Sequence, residues 1–245
     1  MSEASVIAVI PARYGSSRLP GKALADIAGV PMIVRVWRQA SKAQLLKRVL
    51  IATDDERIAS AVRAAGGEVE MTASSHQSGT DRIAEVARRV PADIYLNVQG
   101  DQPFIAPQDV DAVARAMADD ATLAMATLGT PISTAEEWCN PNKVKIVCDN
   151  HGNALYFSRS PIPFWRDGVG VPPNALRHVA VYGYRRQFLL DFAALEPGTL
   201  EQIEKLEQLR AMEHGYRIRV VASVAPSLEV DTPEDLAQAD AAARR

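Results

Sequence analysis

The chain has 245 residues, 47% of them hydrophobic, and a formal net charge of -3. That is enough apolar material for a substantial core and too little positive charge for a general polyanion-binding surface, which argues against a nucleic-acid-binding protein. The cysteines, Cys139 and Cys148, form no CxxC pair and no ligand cluster with the histidines, which argues against a zinc site or a disulfide framework and suits free thiols in a reducing compartment.

In chain order, Val6–Ile10 predicts a buried strand and Met32–Ala43 a helix. Arg48–Thr53 and Asp55–Ala65 repeat the pair, as do Val69–Thr72 with Thr80–Arg89, and Ile94–Val98 with Pro107–Ala118. Leu123–Leu128 adds a strand. Runs apolar on both faces, alternating with helices, predict an α/β fold with a mostly parallel sheet covered by helices on both faces. The pattern changes after Thr130. Lys143–Cys148 and Leu155–Ser158 flank the turn cluster Asp149-Asn150-His151-Gly152-Asn153, a hairpin signal. Pro161–Pro173 reads as an irregular loop, Val179–Tyr184 as a strand, Glu201–Glu213 as a helix stopped by Gly215, and Arg217–Val224 as a strand. A last helix begins at Asp231-Thr232-Pro233-Glu234-Asp235, with an N-cap before the proline. The expected organisation is one domain over residues 1–245, with a small antiparallel elaboration in 131–190. Val6–Ile10 is too short for a signal-peptide core, and no segment approaches the ~20 apolar residues of a membrane span, so the expectation is a soluble cytoplasmic protein.

Two features carry chemistry. The first strand runs into Pro11-Ala12-Arg13-Tyr14-Gly15-Ser16-Ser17-Arg18-Leu19-Pro20-Gly21-Lys22. A loop at the carboxyl end of a parallel strand is where open α/β sheets bind ligands. Its glycines permit close backbone approach, and Arg13, Arg18 and Lys22 offer charge to a triphosphate. It lacks the spacing of a Walker loop, and a solvated basic loop is the alternative. The second feature is acidic: Asp101, at the end of strand Ile94–Val98 beside Gly100, and Asp231 in Leu228-Glu229-Val230-Asp231. A hard divalent cation that also binds phosphates uses one or two such carboxylates. The alternatives are a turn carboxylate for Asp101 and a helix N-cap for Asp231.

The nucleotide loop just quoted resembles that of the 3-deoxy-manno-octulosonate cytidylyltransferases. So do His76-Gln77-Ser78-Gly79-Thr80-Asp81-Arg82, Asn97-Val98-Gln99-Gly100-Asp101, Ala154-Leu155-Tyr156-Phe157-Ser158-Arg159, Leu206-Glu207-Gln208-Leu209-Arg210 and Val230-Asp231-Thr232-Pro233-Glu234-Asp235, in the same order along essentially the whole chain. The resemblance implies a Rossmann-like nucleotidyltransferase, a homodimer, that joins CMP from CTP to the anomeric hydroxyl of an acidic eight-carbon sugar, releases pyrophosphate and serves lipopolysaccharide synthesis. It implies catalytic roles for Arg13, Lys22, Asp101 and Asp231, with the two aspartates holding Mg2+. It implies CTP contacts from Ala12, Arg13, Ser17, Arg18, Lys22, Ser78, Gly79, Thr80, Arg82 and Gln99. Sugar contacts would come from Gln99, Arg159, His178, Tyr182, Glu207 and Gln208, with Arg159 pairing with the sugar carboxylate. On local pattern alone Tyr182 reads equally as core and His178 as a hydrogen-bonded strand-end residue.

Two positions depart from the family pattern: Gln102 stands where Glu is common, and Glu229 where Gly is commoner. A carboxylate moved in this way could meet an ammonium group, which raises an 8-amino-8-deoxy form of the same sugar as a second acceptor; tolerated drift is the alternative. Related folds that transfer CMP to sialic-acid-like sugars or phosphonates, and a non-catalytic CTP- or CMP-sugar-binding regulator, are competing readings.

Overall fold

The computed structural model describes residues 4–16, 19–225 and 228–244. Its first half is β1 (Val6–Ala12), the short strands β2 (Asp26–Ile27) and β3 (Val30–Pro31), α1 (Met32–Ala40), β4 (Arg48–Thr53), α2 (Glu56–Ala64), β5 (Glu68–Met71), α3 (Gly79–Arg89), β6 (Ile94–Val98) and α4 (Pro107–Asp119). There follow β7 (Met125–Pro131), α5 (Ala135–Cys139), the hairpin β8 (Lys145–Cys148) and β9 (Ala154–Ser158), β10 (Leu176–Arg185), α6 (Arg186–Phe192), α7 (Thr199–Glu204), α8 (Gln208–Glu213), β11 (Ile218–Ala222) and α9 (Pro233–Ala243).

The main sheet runs β11-β7-β10-β6-β1-β4-β5. β1 pairs in parallel with β4 and β6, β4 with β5, and β7 with β11, whereas β10 is antiparallel to both of its neighbours on this path. The hairpin attaches through β8, antiparallel to β10. Strand alternation sends side chains to two cores. Val6, Ala8, Ile10 and Ala12 pack with apolar residues of α1, α2 and α4, while Ile7 and Val9 pack with those of α3, α6 and α8. That division makes β1 apolar throughout and places helices on both faces, as expected of a largely parallel sheet.

The structure departs from the sequence expectations in four places. α1 ends at Ala40, followed by a turn that still buries Ala43. The helix expected over Glu201–Glu213 is two short ones, because Lys205 adopts the left-handed conformation at φ 54° and ψ 49°. α5 and α6 were not anticipated; each is shorter than the window over which helical periodicity becomes visible. β10 is also longer than expected, because its first residues pair with both β7 and β8. No helix among the described residues is long and apolar enough to cross a membrane.

Candidate active site

Two clefts meet at the carboxyl ends of β1 and β6. The larger, about 430 Å³, is lined by Ala12, Arg13, Lys22, Ser78, Gly79, Arg82, Gln99, Asp101 and Asp231 among others. The smaller, about 300 Å³, is lined by Thr80, Gln99, His178, Tyr182, Glu207 and Gln208, together with Lys143, Arg177 and Glu229. Gly79 and Gln99 belong to both walls. Ser17 and Arg18, expected to contact nucleotide, lie outside the described residues.

The floor of the larger cleft depends on close backbone approach. A Cβ at Gly79 would lie 3.0 Å from Pro11 Cγ, and one at Gly100 would lie 3.1 Å from the Pro11 carbonyl oxygen. Gly21 has φ 68°, a conformation that favours glycine, and it turns the loop into a short 3₁₀ helix, Lys22–Leu24. The loop is braced from outside, where the Arg57 guanidinium sits 3.3 Å from the Tyr14 ring centroid. α3 begins with a capping box: the Ser78 hydroxyl accepts from the Asp81 amide, and the Ser78 amide donates to Asp81 Oδ2, each at 3.1 Å. The helix therefore presents its N-terminus at a cleft wall, where oriented amides favour phosphate. Arg82 is buried, held by Thr72 Oγ1 at 2.5 Å and by an ion pair to Asp54 Oδ1 at 3.2 Å that lacks hydrogen-bond alignment.

Lys22 Nζ donates to Asp101 Oδ2 and to Asp231 Oδ1, both at 2.8 Å. The two carboxylates, remote in sequence, thus converge on one positive point. Burial alone would lower the lysine pKa, but the adjoining carboxylates outweigh it and raise the value above its ordinary level, so the ammonium stays charged. Asp231 is not the N-cap of α9. That role belongs to Thr232, whose hydroxyl accepts from the Asp235 amide at 3.2 Å, with Pro233 opening the helix. The Asp231 carboxylate instead points at Lys22. No group of three or more His, Cys, Asp or Glu side chains able to hold a metal occurs among the described residues. Two hard carboxylates at a point that already attracts a cation nevertheless fit magnesium, which keeps few protein ligands and completes its shell with phosphate and water oxygens.

The smaller cleft is lined by neutral rings and orphaned polar atoms. His178 Nε2 lies 2.9 Å from Thr127 Oγ1, which itself donates to the Val181 carbonyl at 2.9 Å. With the hydroxyl proton engaged there, Nε2 carries the imidazole proton and Nδ1 is an acceptor. Burial, helped by the nearby Arg177 charge, lowers the His178 pKa to about 3, so the ring is uncharged near neutrality. The Tyr182 hydroxyl donates to Gln208 Oε1 at 3.2 Å, and burial holds its pKa well above the ordinary phenol value. Thr80, expected at the nucleotide, faces this cleft and donates to Glu207 Oε2 at 2.5 Å. Burial raises the Glu207 pKa. Its other oxygen, Oε1, has no hydrogen-bond partner, Arg210 Nη2 being 4.0 Å away. Gln208 Nε2 and Arg177 Nε are likewise buried and unpartnered.

Two positions singled out in the sequence stand apart from where they were expected. Arg159 lines neither cleft; its guanidinium donates to the backbone carbonyls of Glu204 at 2.7 Å, Pro141 at 3.0 Å and Lys205 at 3.4 Å. Gln102 is fully buried and lines neither cleft, whereas Glu229 lines the smaller one. Glu229 and Asp231 open into different clefts. Sequence reasoning also missed Lys143 and Arg177. The signal available for Arg177 was its position beside His178, outside the matched segments.

A profile of the family described as cytidylyltransferase matches residues 7–218. The chain is 51% identical over 240 residues to a 3-deoxy-manno-octulosonate cytidylyltransferase of Geobacter metallireducens, covering 94% of each chain. It is 51% identical over 244 residues to the enzyme of the same name from Pelobacter propionicus, covering 96% of each. It superposes with a TM-score of 0.92 and 46% identity, over 98% of both chains, on a CMP:2-keto-3-deoxy-manno-octonic acid synthetase solved with CTP. With the glycine-bearing loop, the paired aspartates and two adjoining clefts at one end of the sheet, and with these relatives spanning nearly its whole length, the chain belongs to the 3-deoxy-manno-octulosonate cytidylyltransferase family.

Proposed function

We propose that the protein transfers CMP from CTP to the anomeric hydroxyl of 3-deoxy-D-manno-octulosonate and releases pyrophosphate. The observation that carries this reading is the contact of the two clefts through Gly79 and Gln99, with Lys22, Asp101 and Asp231 in the larger one. CTP occupies the larger cleft, with its phosphates along Arg13, Lys22 and the N-terminus of α3. The sugar occupies the smaller cleft, where the neutral His178 and Tyr182, with Glu207 and Gln208, suit a ring of hydroxyls. The reacting oxygen and the α-phosphorus then meet at the shared wall, in near-attack geometry.

Asp101 and Asp231 would hold Mg2+, which when bound supplies positive charge to the phosphates and acidifies a neighbouring hydroxyl. Lys22 and Arg13 offset charge that builds on the departing pyrophosphate. No side-chain nucleophile is required, because the acceptor hydroxyl attacks phosphorus directly. The protein acts as a homodimer, a reading supported by the apolar loop in which Phe164 and Val169 are 88% and 97% exposed. Cytoplasmic nucleotide pools suit it.

Pyrophosphate release across CTP, UTP and ATP with a panel of acidic sugars tests the proposal. Release confined to CTP with the octulosonate supports it, and release with a sialic-acid-like sugar in preference overturns it. The 8-amino sugar is a second reading, favoured by Glu229, whose carboxylate lines the acceptor cleft 3.9 Å from Lys143 Nζ. Competition between the two sugars at fixed CTP decides between them through the ratio of kcat/KM.

A further inference from the structure

The first turn of α3 stands between the two clefts. Ser78 and Gly79 line the larger one, and Gly79 and Thr80 the smaller. Thr80 is almost fully buried, and its hydroxyl donates to Glu207 Oε2 at 2.5 Å, joining residues 127 positions apart. Ser78, whose hydroxyl accepts from the Asp81 amide, also favours the ionised form of Glu207. Glu207 immediately precedes α8, and its side chain makes no capping bond to that helix. Its carboxylate is therefore placed by α3 rather than by its own element. A buried carboxylate stripped of such donors is poorly solvated, so the tie between the two elements is a strong one.

Phosphate oxygens that accept from the first-turn amides of α3 order this turn from the larger cleft. A sugar that meets Glu207 orders it from the smaller one. Ordering costs conformational entropy, and the ligand that arrives second does not bear that cost again. Repulsion between the phosphates and the carboxylate opposes the gain. It is reduced by Arg210, whose Nη2 lies 4.0 Å from Glu207 Oε1, and by Lys22 on the nucleotide side. We propose that the Thr80–Glu207 hydrogen bond couples the two clefts, so that nucleotide and acceptor each tighten the binding of the other, with Thr80 as the positioning residue. The proposal rests on the reading of the larger cleft as the nucleotide site and the smaller as the acceptor site.

The test is calorimetric titration of the octulosonate into the protein at saturating Mg2+, with and without the unreactive α,β-methylene analogue of CTP. In the unaltered protein the analogue is expected to lower the sugar Kd about tenfold, and by linkage the sugar lowers the analogue Kd by the same factor. Thr80→Val removes the donated hydrogen bond and is expected to cut this factor to about twofold or less, while Thr80→Ser restores most of it. Weaker binding of both ligands with the factor kept would make Thr80 merely structural and overturn the proposal. Hydrogen exchange on the unaltered protein keeps the test decisive if Thr80→Val fails to fold. The analogue alone is expected to slow exchange at the amides of Leu209 and Arg210, which donate to the Leu206 and Glu207 carbonyls, by about threefold or more. No change there would also overturn the proposal. If the octulosonate fails to bind the unaltered protein with the analogue present, the acceptor-site reading falls and this proposal with it. Binding without coupling overturns this proposal alone.

Discussion

The amide of Val230 donates to the carbonyl of Asp101 at 2.9 Å. This single backbone bond fastens the approach to α9 onto the loop after β6. It sets Asp231, the next residue, where its carboxylate and that of Asp101 share the Lys22 ammonium. The site is thus assembled by main-chain geometry before any ligand arrives.

Asp101→Asn and Asp231→Asn are each expected to lower kcat by about 100-fold or more at saturating CTP while the fold persists. Circular dichroism and pyrophosphate release on the same preparation check this. Near-normal turnover of Asp101→Asn would remove the metal assignment.

Lys22 and a divalent cation compete for the same oxygens. Lys22→Met is expected to tighten Mg2+ binding to the nucleotide-free protein about tenfold, because the carboxylates lose their resident positive charge. Turnover should fall at least about 100-fold, since the phosphates lose a counter-charge. Titration calorimetry reads the first effect, and unchanged metal affinity would mean that the ion uses other ligands.

The folded protein keeps His178 neutral down to about pH 3, while the unfolded chain takes up that proton near 6.5. Between those values the unfolded state binds more protons. The contribution of the neutral ring is therefore whole above pH 6.5 and is lost as pH falls toward 3. His178→Gln is expected to flatten the dependence of unfolding free energy on pH across that window by about 1.4 kcal/mol per pH unit. Urea titrations at several pH values measure it, and an unchanged slope would refute the assignment.

Lys145 has no exposed surface, and its ammonium donates to the carbonyls of Asn140 at 2.9 Å and of Lys143 and Arg159 at 2.6 Å. It gathers the connection into β8 and the end of β9. Lys145→Met leaves those carbonyls without their donor and is expected to cost about 2–4 kcal/mol of stability in chemical denaturation. A loss under about 0.5 kcal/mol would show that water replaces the ammonium.

Much of this arrangement could be read in the residues because it rests on short-range physics. β1 is apolar at successive positions because its two faces feed two cores, and loops at strand ends mark the ligand edge of the sheet. The N-cap of α9 stands before the proline, as the sequence indicates, and Thr232 followed three positions later by Asp235 carries the capping-box signature. The break at Lys205 was not legible: a non-glycine residue in the left-handed region is imposed by tertiary contacts, among them the paired Arg210 and Glu201 hydrogen bonds at 2.7 and 2.6 Å that tie α8 to α7. That the Arg159 guanidinium meets backbone carbonyls of Glu204, Pro141 and Lys205 was not legible either, because those partners come near it only once the chain has folded.

Pro11 is touched from two sides by positions that carry no side chain. One residue, through its ring on the side of Gly79 and its carbonyl oxygen on the side of Gly100, therefore serves as a shim between the start of α3 and the aspartate-bearing loop, and their separation is set by its thickness. Any drift of β1 would carry both walls together, so the width available to a triphosphate would survive movements that alter its position.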